Sequence, residues 1–225
     1  RLIMAGQVLL DQGKTSEPVA KPGQQLSSDA VLRIKTQERF VSRGGEKLLT
    51  AIEHFNLDFT GKVCLDAGAS TGGFTDCMLQ HGAARVYSVD VGKNQLHSRL
   101  KQDSRVISLE GVNLRLADPE LIPEPVDAVT ADVSFISLTL VLPPCMNWLK
   151  PSGLVVALIK PQFELDASAN VKGVVRDEAL QQQAVDKITA FADAELELEL
   201  LGVVPSRIKG PKGNQEYLAC FRKRD

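Results

Sequence analysis

The residues best suited to chemistry in this 225-residue chain are two lysines and two acids set at the ends of apolar runs. Lys160 stands between the apolar run at 154–159 and Pro161, Asp132 follows the run at 126–131, and Glu216 opens the run at 216–221. Lys47 falls in the first turn of a segment, 45–56, whose apolar residues Leu48, Leu49, Ala51, Ile52 and Phe55 recur at helical spacing. An ammonium whose stem begins in a core must reach a crevice or find a carboxylate, because an unpaired buried charge is costly. The set therefore reads in two ways: groups that act on a ligand at the end of a sheet, or a structural ion pair of Lys160 with Asp132.

A second constellation surrounds the first strand pattern. Asp66-Ala67-Gly68-Ala69-Ser70-Thr71-Gly72-Gly73-Phe74 follows that strand and opens a helix, the place where an α/β sheet admits a nucleotide-like ligand. Glycine there lets the backbone approach the ligand. A dinucleotide fingerprint requires glycine where Ser70 stands, and its cradle is shaped for a pyrophosphate, which disfavours a nicotinamide-linked oxidoreductase. Asp90 ends the second strand, where a carboxylate can accept from both hydroxyls of a ribose. Glu110 and Asn113 follow the third strand and are candidates for reading an adenine edge. A glycine turn without ligand and a surface aspartate at a strand end are the bland alternatives.

These residues need an alternating scaffold. Strands are predicted at 63–65, 86–89, 106–109, 126–131 and 154–159, the last buried on both faces. Helices are predicted at 45–56, from near Gly72, at 136–149 and at 177–193, which implies parallel βαβ units. Leu196, Leu198 and Leu200 alternate with Glu195, Glu197 and Glu199 as in a half-exposed strand. A loop with Gly210, Pro211 and Gly213 leads back into 216–221, so the last two strands are expected to pair antiparallel. The stretch 14–35, with Gly13 just before it and with Pro18, Pro22 and Gly23, has little periodicity and reads as a linker or the end of a small module.

Composition narrows the function. No apolar run approaches the roughly 18 residues that span a bilayer, and no signal peptide is visible. Cys64, Cys77, Cys145 and Cys220 are scattered without a CxxC pair, which argues against a zinc site or disulfides and for a reducing cytoplasm. The net charge of −2 conceals an asymmetry: residues 1–47 carry 8 basic and 5 acidic groups, 204–225 carry 6 and 2, and the middle carries 12 and 21. Basic ends around an acidic centre suit a polyanion held by the ends, while the pI of 6.0 excludes a generic DNA-coating protein. The chain begins mid-pattern at Arg1-Leu2-Ile3-Met4-Ala5-Gly6, which predicts a segment upstream.

Ordered motifs carry a resemblance across nearly the whole chain. Ser42-Arg43-Gly44-Gly45-Glu46-Lys47-Leu48, Gly68-Ala69-Ser70-Thr71-Gly72-Gly73-Phe74-Thr75-Asp76, Asp90-Val91-Gly92, Asp132-Val133-Ser134-Phe135-Ile136-Ser137 and Ile159-Lys160-Pro161-Gln162-Phe163-Glu164 resemble the FtsJ-like ribose 2′-O-methyltransferases, and within them the TlyA family, often labelled haemolysins. The resemblance implies a class I, Rossmann-like α/β fold: a mostly parallel seven-stranded sheet with one antiparallel strand and helices on both faces. It implies residues 37–225 as the methyltransferase domain and 1–36 as the remnant of a small RNA-binding domain plus linker.

The same resemblance implies S-adenosylmethionine as cofactor and ribosomal RNA, or a ribosomal subunit, as partner. Lys47, Asp132, Lys160 and Glu216 match the family's catalytic tetrad. Asp66, Gly68, Ser70, Thr71, Gly72, Gly73, Phe74, Asp90, Glu110 and Asn113 would serve the cofactor, and Arg43, Arg207, Lys209 and Lys212 the RNA phosphates. Lys93 and Asn94 depart from the family pattern after Asp90-Val91-Gly92, and the 165–173 loop is less basic than the pattern. With 5% aromatic residues, stacking of bases is expected to be secondary. Within the mechanism, Lys160 is either the base that takes the ribose proton or an electrostatic positioner. The competing functions are a non-catalytic RNA-binding or ribosome-assembly protein and a membrane-lytic protein, the latter without a long basic amphipathic helix to support it.

Overall fold

The computed structural model describes residues 1–11, 13, 15–34, 38–166 and 172–225. The chain divides into two compact units, Arg1–Arg39 and Phe40–Asp225. In the first unit β1 (Val8–Asp11) pairs antiparallel with both β2 (Ser16–Pro18) and β3 (Val31–Ile34). Two of these strands lie in the stretch read from sequence as linker or module end. Every residue of β2 and β3 is exposed, so neither carries a buried face that patterning could reveal.

The second unit begins with α1 (Gly44–Phe55), β4 (Val63–Ala67), α2 (Gly73–Gln80), β5 (Arg85–Asp90), α3 (Ser98–Lys101) and β6 (Val106–Glu110). It continues through β7 (Val126–Ala131), α4 (Leu138–Cys145), β8 (Leu149–Ile159), α5 (Pro161–Glu164), α6 (Glu178–Leu196), β9 (Leu198–Pro205) and β10 (Tyr217–Lys223). The seven strands lie in the order β6-β5-β4-β7-β8-β10-β9. Pairings from β6 to β8 are parallel, and β10 runs antiparallel to both β8 and β9. The single reversed strand is thus inserted one place in from the edge.

Alternation along the strands feeds two cores. Leu65, Ala67, Val155, Ala157, Ile159, Ala219 and Phe221 join the core under α4 and α6. Cys64, Ala128, Val156, Leu158, Leu218 and Cys220 join the core under α1, α2 and α3. Helices therefore cover both faces of the sheet. Continued by one step, the alternation puts Asp132, Lys160 and Glu216 on the α1 side, where Lys47 also resides.

Two boundaries differ from the sequence expectation. The helix expected at 136–149 spans Leu138–Cys145 and contains Pro143 and Pro144, while Leu149 already starts β8. Proline removes backbone donors, and the chain leaves the helix soon after the pair. Leu196 belongs to α6 rather than to the following strand, because Glu197 takes the left-handed conformation that ends the helix. In β9 a register shift opposite Cys220 and Phe221 breaks the alternation, and Leu200 is exposed.

Candidate active site

The glycine loop is shaped by carboxylates on either side of it. Asp66, fully buried, accepts from the Thr75 backbone N–H at 2.9 Å, from Thr75 Oγ1 at 2.6 Å and from Thr130 Oγ1 at 3.1 Å. Burial pushes its carboxyl up from 3.8 to about 7, with those hydrogen bonds opposing. Asp66 was expected to touch the cofactor; instead it ties the start of α2 to β7 from beneath the loop. Asp90 accepts from the Ser70 N–H at 2.8 Å and from the Gly92 N–H at 2.7 Å. Ser70, where a dinucleotide site has glycine, adopts φ 49°, and this bond to Asp90 holds it there.

Gly68 is required by contact as well as by conformation. Its φ is +82°, and a side-chain carbon there would lie 2.8 Å from the Asp132 carbonyl oxygen. The glycine loop and the end of β7 therefore touch backbone to backbone. Gly72 is the N-cap of α2, and Gly73 packs so closely on the start of α1 that a side-chain carbon would fall 2.4 Å from Ser42 Oγ.

The lysines and acids form two separate pairs. Lys160 Nζ lies 2.6 Å from Asp132 Oδ1 and donates to Ser134 Oγ at 2.9 Å. Lys47 Nζ lies 2.6 Å from Glu216 Oε2, with side-chain exposures of 11% and 0%. Tyr217 pairs with Ile159 across β10 and β8, so one further step of that ladder sets Glu216 opposite Lys160. Glu216 nevertheless bonds Lys47 from α1. Its other oxygen, Oε1, is buried and has no hydrogen-bond partner among the described residues.

Three cavities meet at these pairs. The first, of about 310 Å³, is lined by Gly68, Ser70, Asp90, Gln95, Asn113 and Asp132 among others, with apolar walls from Val89, Val112, Leu114 and Ile136. The second, of about 300 Å³, holds Arg43, Lys47, Thr71, Gly73, Phe74, Asp132 and Lys160. The third, of about 650 Å³, is bounded by Phe135, Lys160, Gln162, Phe163, Lys212 and Glu216. Ser134 lines all three. A nucleoside needs an apolar slot for its base and an acceptor for its ribose, and the first cavity supplies both with Asp90 at the strand end.

The remaining expected residues are placed as follows. Asn113 lines the first cavity, and its side chain accepts from the Arg115 N–H at 3.1 Å. Glu110 does not line it: its carboxylate takes the backbone N–H groups of Asn94, Gln95 and Leu96 and the Lys101 ammonium, which hold it down at about 2. The departure at Lys93 and Asn94 thus sits in a loop closed by Glu110. Arg43 and Lys209 are exposed, Arg207 is paired with Glu53, and Lys212 donates to the Lys172 carbonyl at 3.2 Å. Residues 167–171 of the loop noted as poor in basic groups lie outside the described residues.

Sequence reading passed over Ser134, Phe135, Phe163 and Gln95 as site residues. Phe135 is 90% exposed with φ 64°, and its ring centroid is 5.0 Å from that of Phe163. A bulky residue in that conformation is uncommon, so the strain itself points to a use. Low aromatic content hid the pair, because two rings at one cavity mouth do not alter a composition. For Ser134, Phe135 and Phe163 the motif strings 132–137 and 159–164 were the available signal.

Similarity to known proteins agrees with this geometry. The family model for FtsJ-like methyltransferases matches residues 40–223. A protein of Mycobacterium tuberculosis named 16S/23S rRNA (cytidine-2′-O)-methyltransferase TlyA is 42% identical over 224 residues, covering 98% of this chain and 82% of the relative. Hemolysin A of Brachyspira hyodysenteriae is 40% identical over 226 residues, covering 98% and 90%. A solved Streptococcus thermophilus structure, also named a hemolysin, superimposes with a TM-score of 0.82 at 42% identity over 99% of this chain and 81% of that one. Among the described residues no helix is long and apolar enough to cross a membrane. With its glycine loop, its strand-end aspartate and a family match across all but the last two residues of the second unit, the chain belongs to the FtsJ-like methyltransferases, and its cofactor is S-adenosylmethionine.

Proposed function

We propose that this protein methylates a ribose 2′-hydroxyl of ribosomal RNA, with Lys47, Asp132, Lys160 and Glu216 as its catalytic tetrad. The observation that carries the reading is the junction itself: the first cavity, lined by Asp132, and the 650 Å³ cavity, lined by Lys160, share Ser134 and Phe135, and the Asp132–Lys160 ion pair joins them. The named activity of the mycobacterial relative supplies the substrate class. Such a substrate places the reaction in the cytoplasm.

Bound S-adenosylmethionine supplies an electrophilic methyl group. In this chain Gly68, Ser70, Thr71, Gly73, Phe74, Asp90 and Asn113 would hold it, the ribose diol toward Asp90 and the base between Val89, Val112 and Leu114. Methyl transfer to oxygen is an in-line displacement, so alignment of the two reactants accounts for much of the rate. Lys160 Nζ is fixed by Asp132 and Ser134 beside the cavities, and to take the hydroxyl proton as the oxygen attacks it must first release one of its own to solvent and enter the step as the neutral amine. Lys47 lines the second cavity beside Lys160, and the buried Glu216 carboxylate fixes its ammonium there.

Phe135 and Phe163 offer a stacking surface for the base of an unpaired nucleotide beside that sugar. Stacking is therefore given more weight here than the composition suggested. In this reading Arg43, Lys209 and Lys212 would meet phosphates, Arg207 after release from Glu53, and the unit Arg1–Arg39 is read as part of an RNA-binding module.

The test is transfer of labelled methyl from S-adenosylmethionine to intact ribosomes and separated subunits, with Lys160→Ala alongside. Label recovered in 2′-O-methylated nucleosides, and lost in the variant, supports the enzyme. Cofactor binding without label on any RNA would turn the reading to a non-catalytic RNA-binding protein.

A further inference from the structure

The loop 91–96 lines the cofactor cavity with Val91 and Gln95, and the Gln95 amide is a polar group there that the tetrad and glycine loop do not explain. Gln95 lines that cavity, and its Oε1 accepts from Ser70 Oγ at 3.2 Å. Its amide packs against Gly92: a side-chain carbon on Gly92 would fall 1.9 Å from Gln95 Nε2 and 3.1 Å from Asp90 Oδ1. The amide and the Asp90 carboxylate therefore sit over the same glycine, at the ribose end of the cavity. An amide carries donors and an acceptor, whereas an ionised carboxylate only accepts, so the two together suit a vicinal diol better than either alone.

The placement of Gln95 is imposed from behind. Glu110, on the far side of the loop, gathers the N–H groups of Asn94 at 3.0 Å, Gln95 at 3.0 Å and Leu96 at 3.2 Å on one carboxylate. Asn94 is turned to φ 57°, so the loop reverses at that point and its donors converge. Lys101 from α3 joins the same carboxylate at 3.1 Å. Exposed loops of this kind are otherwise free to move.

We propose that Gln95 contacts the ribose hydroxyls of the bound cofactor together with Asp90, and that Glu110 is a positioning residue that acts through Gln95. The inference rests on S-adenosylmethionine occupying the first cavity. It assigns Glu110 a role in cofactor binding without contact, in place of the direct contact expected from sequence. Gln95 replaces it as the group that touches the ligand.

Calorimetric titration of the full chain with S-adenosylmethionine, S-adenosylhomocysteine and the 2′- and 3′-deoxy forms of S-adenosylhomocysteine tests it, using Gln95→Ala, Glu110→Gln and the double variant. Gln95→Ala is expected to weaken S-adenosylhomocysteine about tenfold, the loss of a hydrogen bond between uncharged groups. The penalty should shrink to about twofold for at least one deoxy form, which lacks the partner hydroxyl. Glu110→Gln is expected to weaken binding about fivefold alone and to add almost nothing once Gln95 is alanine, since its effect passes through that side chain. Equal losses for the deoxy and parent ligands, or additive losses in the double variant, would overturn the proposal. Failure of the unaltered protein to bind S-adenosylmethionine would instead overturn the cofactor reading on which it rests.

Discussion

Carboxylates do opposite work in two adjoining parts of this molecule. Around the glycine loop, Asp66, Asp90 and Glu110 accept from backbone N–H groups of Thr75, Ser70, Gly92 and residues 94–96. Across Gly68, Asp132 and Glu216 accept instead from the ammonium groups of Lys160 and Lys47. A backbone donor belongs to a loop, so its acceptor sets the shape of the loop and through it the fit of a ligand. An ammonium on a long stem is a mobile reagent, so its acceptor sets where a charge and a proton reside. Loss of the first kind should appear in cofactor affinity, and loss of the second in turnover or, for the fully buried pair, in stability.

The largest effect expected is at Lys160. Lys160→Ala should lower kcat by about 10²- to 10⁴-fold, the range of general acid–base contributions, while cofactor affinity changes by about twofold or less. A large loss of affinity with little loss of kcat would erase the distinction drawn here. Lys47→Met comes next. It leaves the fully buried Glu216 carboxylate without its cation, and denaturant unfolding should show a loss of about 3–5 kcal/mol. Adding Glu216→Gln should restore much of that stability without restoring turnover.

Gly210→Ala probes the same carboxylate from the other side. A methyl there would lie 2.0 Å from Glu216 Oε1, so the carboxylate must move. The expected cost is about 1–3 kcal/mol, as for overpacking elsewhere, together with reduced turnover. If stability falls while kcat stays level, the position of Glu216 does not matter to the reaction.

The effects of the two loop-shaping acids depend on pH, and they differ in sign. Burial raises the Asp66 carboxyl from 3.8 to about 7, so folded protein keeps a proton that unfolded chain has released. Its contribution is intact below pH 4 and is lost as pH rises toward 7; Asp66→Asn should flatten that slope. Glu110 is held down at about 2 by its N–H donors, so its contribution is present above pH 4.5 and is lost as pH falls toward 2. Glu110→Gln should flatten the acid limb alone. Thermal unfolding across pH 2–8 reads both, and matching slopes from the two variants would contradict the assignment.

Much of the scaffold was legible because its signals are local. Apolar runs at 126–131 and 154–159 located β7 and β8, and the return loop at 210–213 announced the antiparallel pairing of β9 with β10. The short strands β2 and β3 were not legible, since exposure on every residue leaves no pattern. At the site, Asp66 and Glu110 were legible as acids beside a ligand-binding loop, yet the partner of each was not. Local sequence states where a carboxylate starts, and packing decides which donors surround it.

Sequence alone set Asp132, Lys160 and Glu216 at the ends of strands and Lys47 in the first turn of a helix. Only the tertiary structure decided that Lys47 pairs with Glu216, 169 residues away, and Lys160 with Asp132. It also decided that Phe135 and Phe163 meet at a cavity mouth. The physical reason is range. Side-chain direction along a strand follows from the geometry of neighbouring residues, whereas pairing of charges depends on how closely distant segments approach, as Gly68 permits against Asp132 and Gly210 against Glu216.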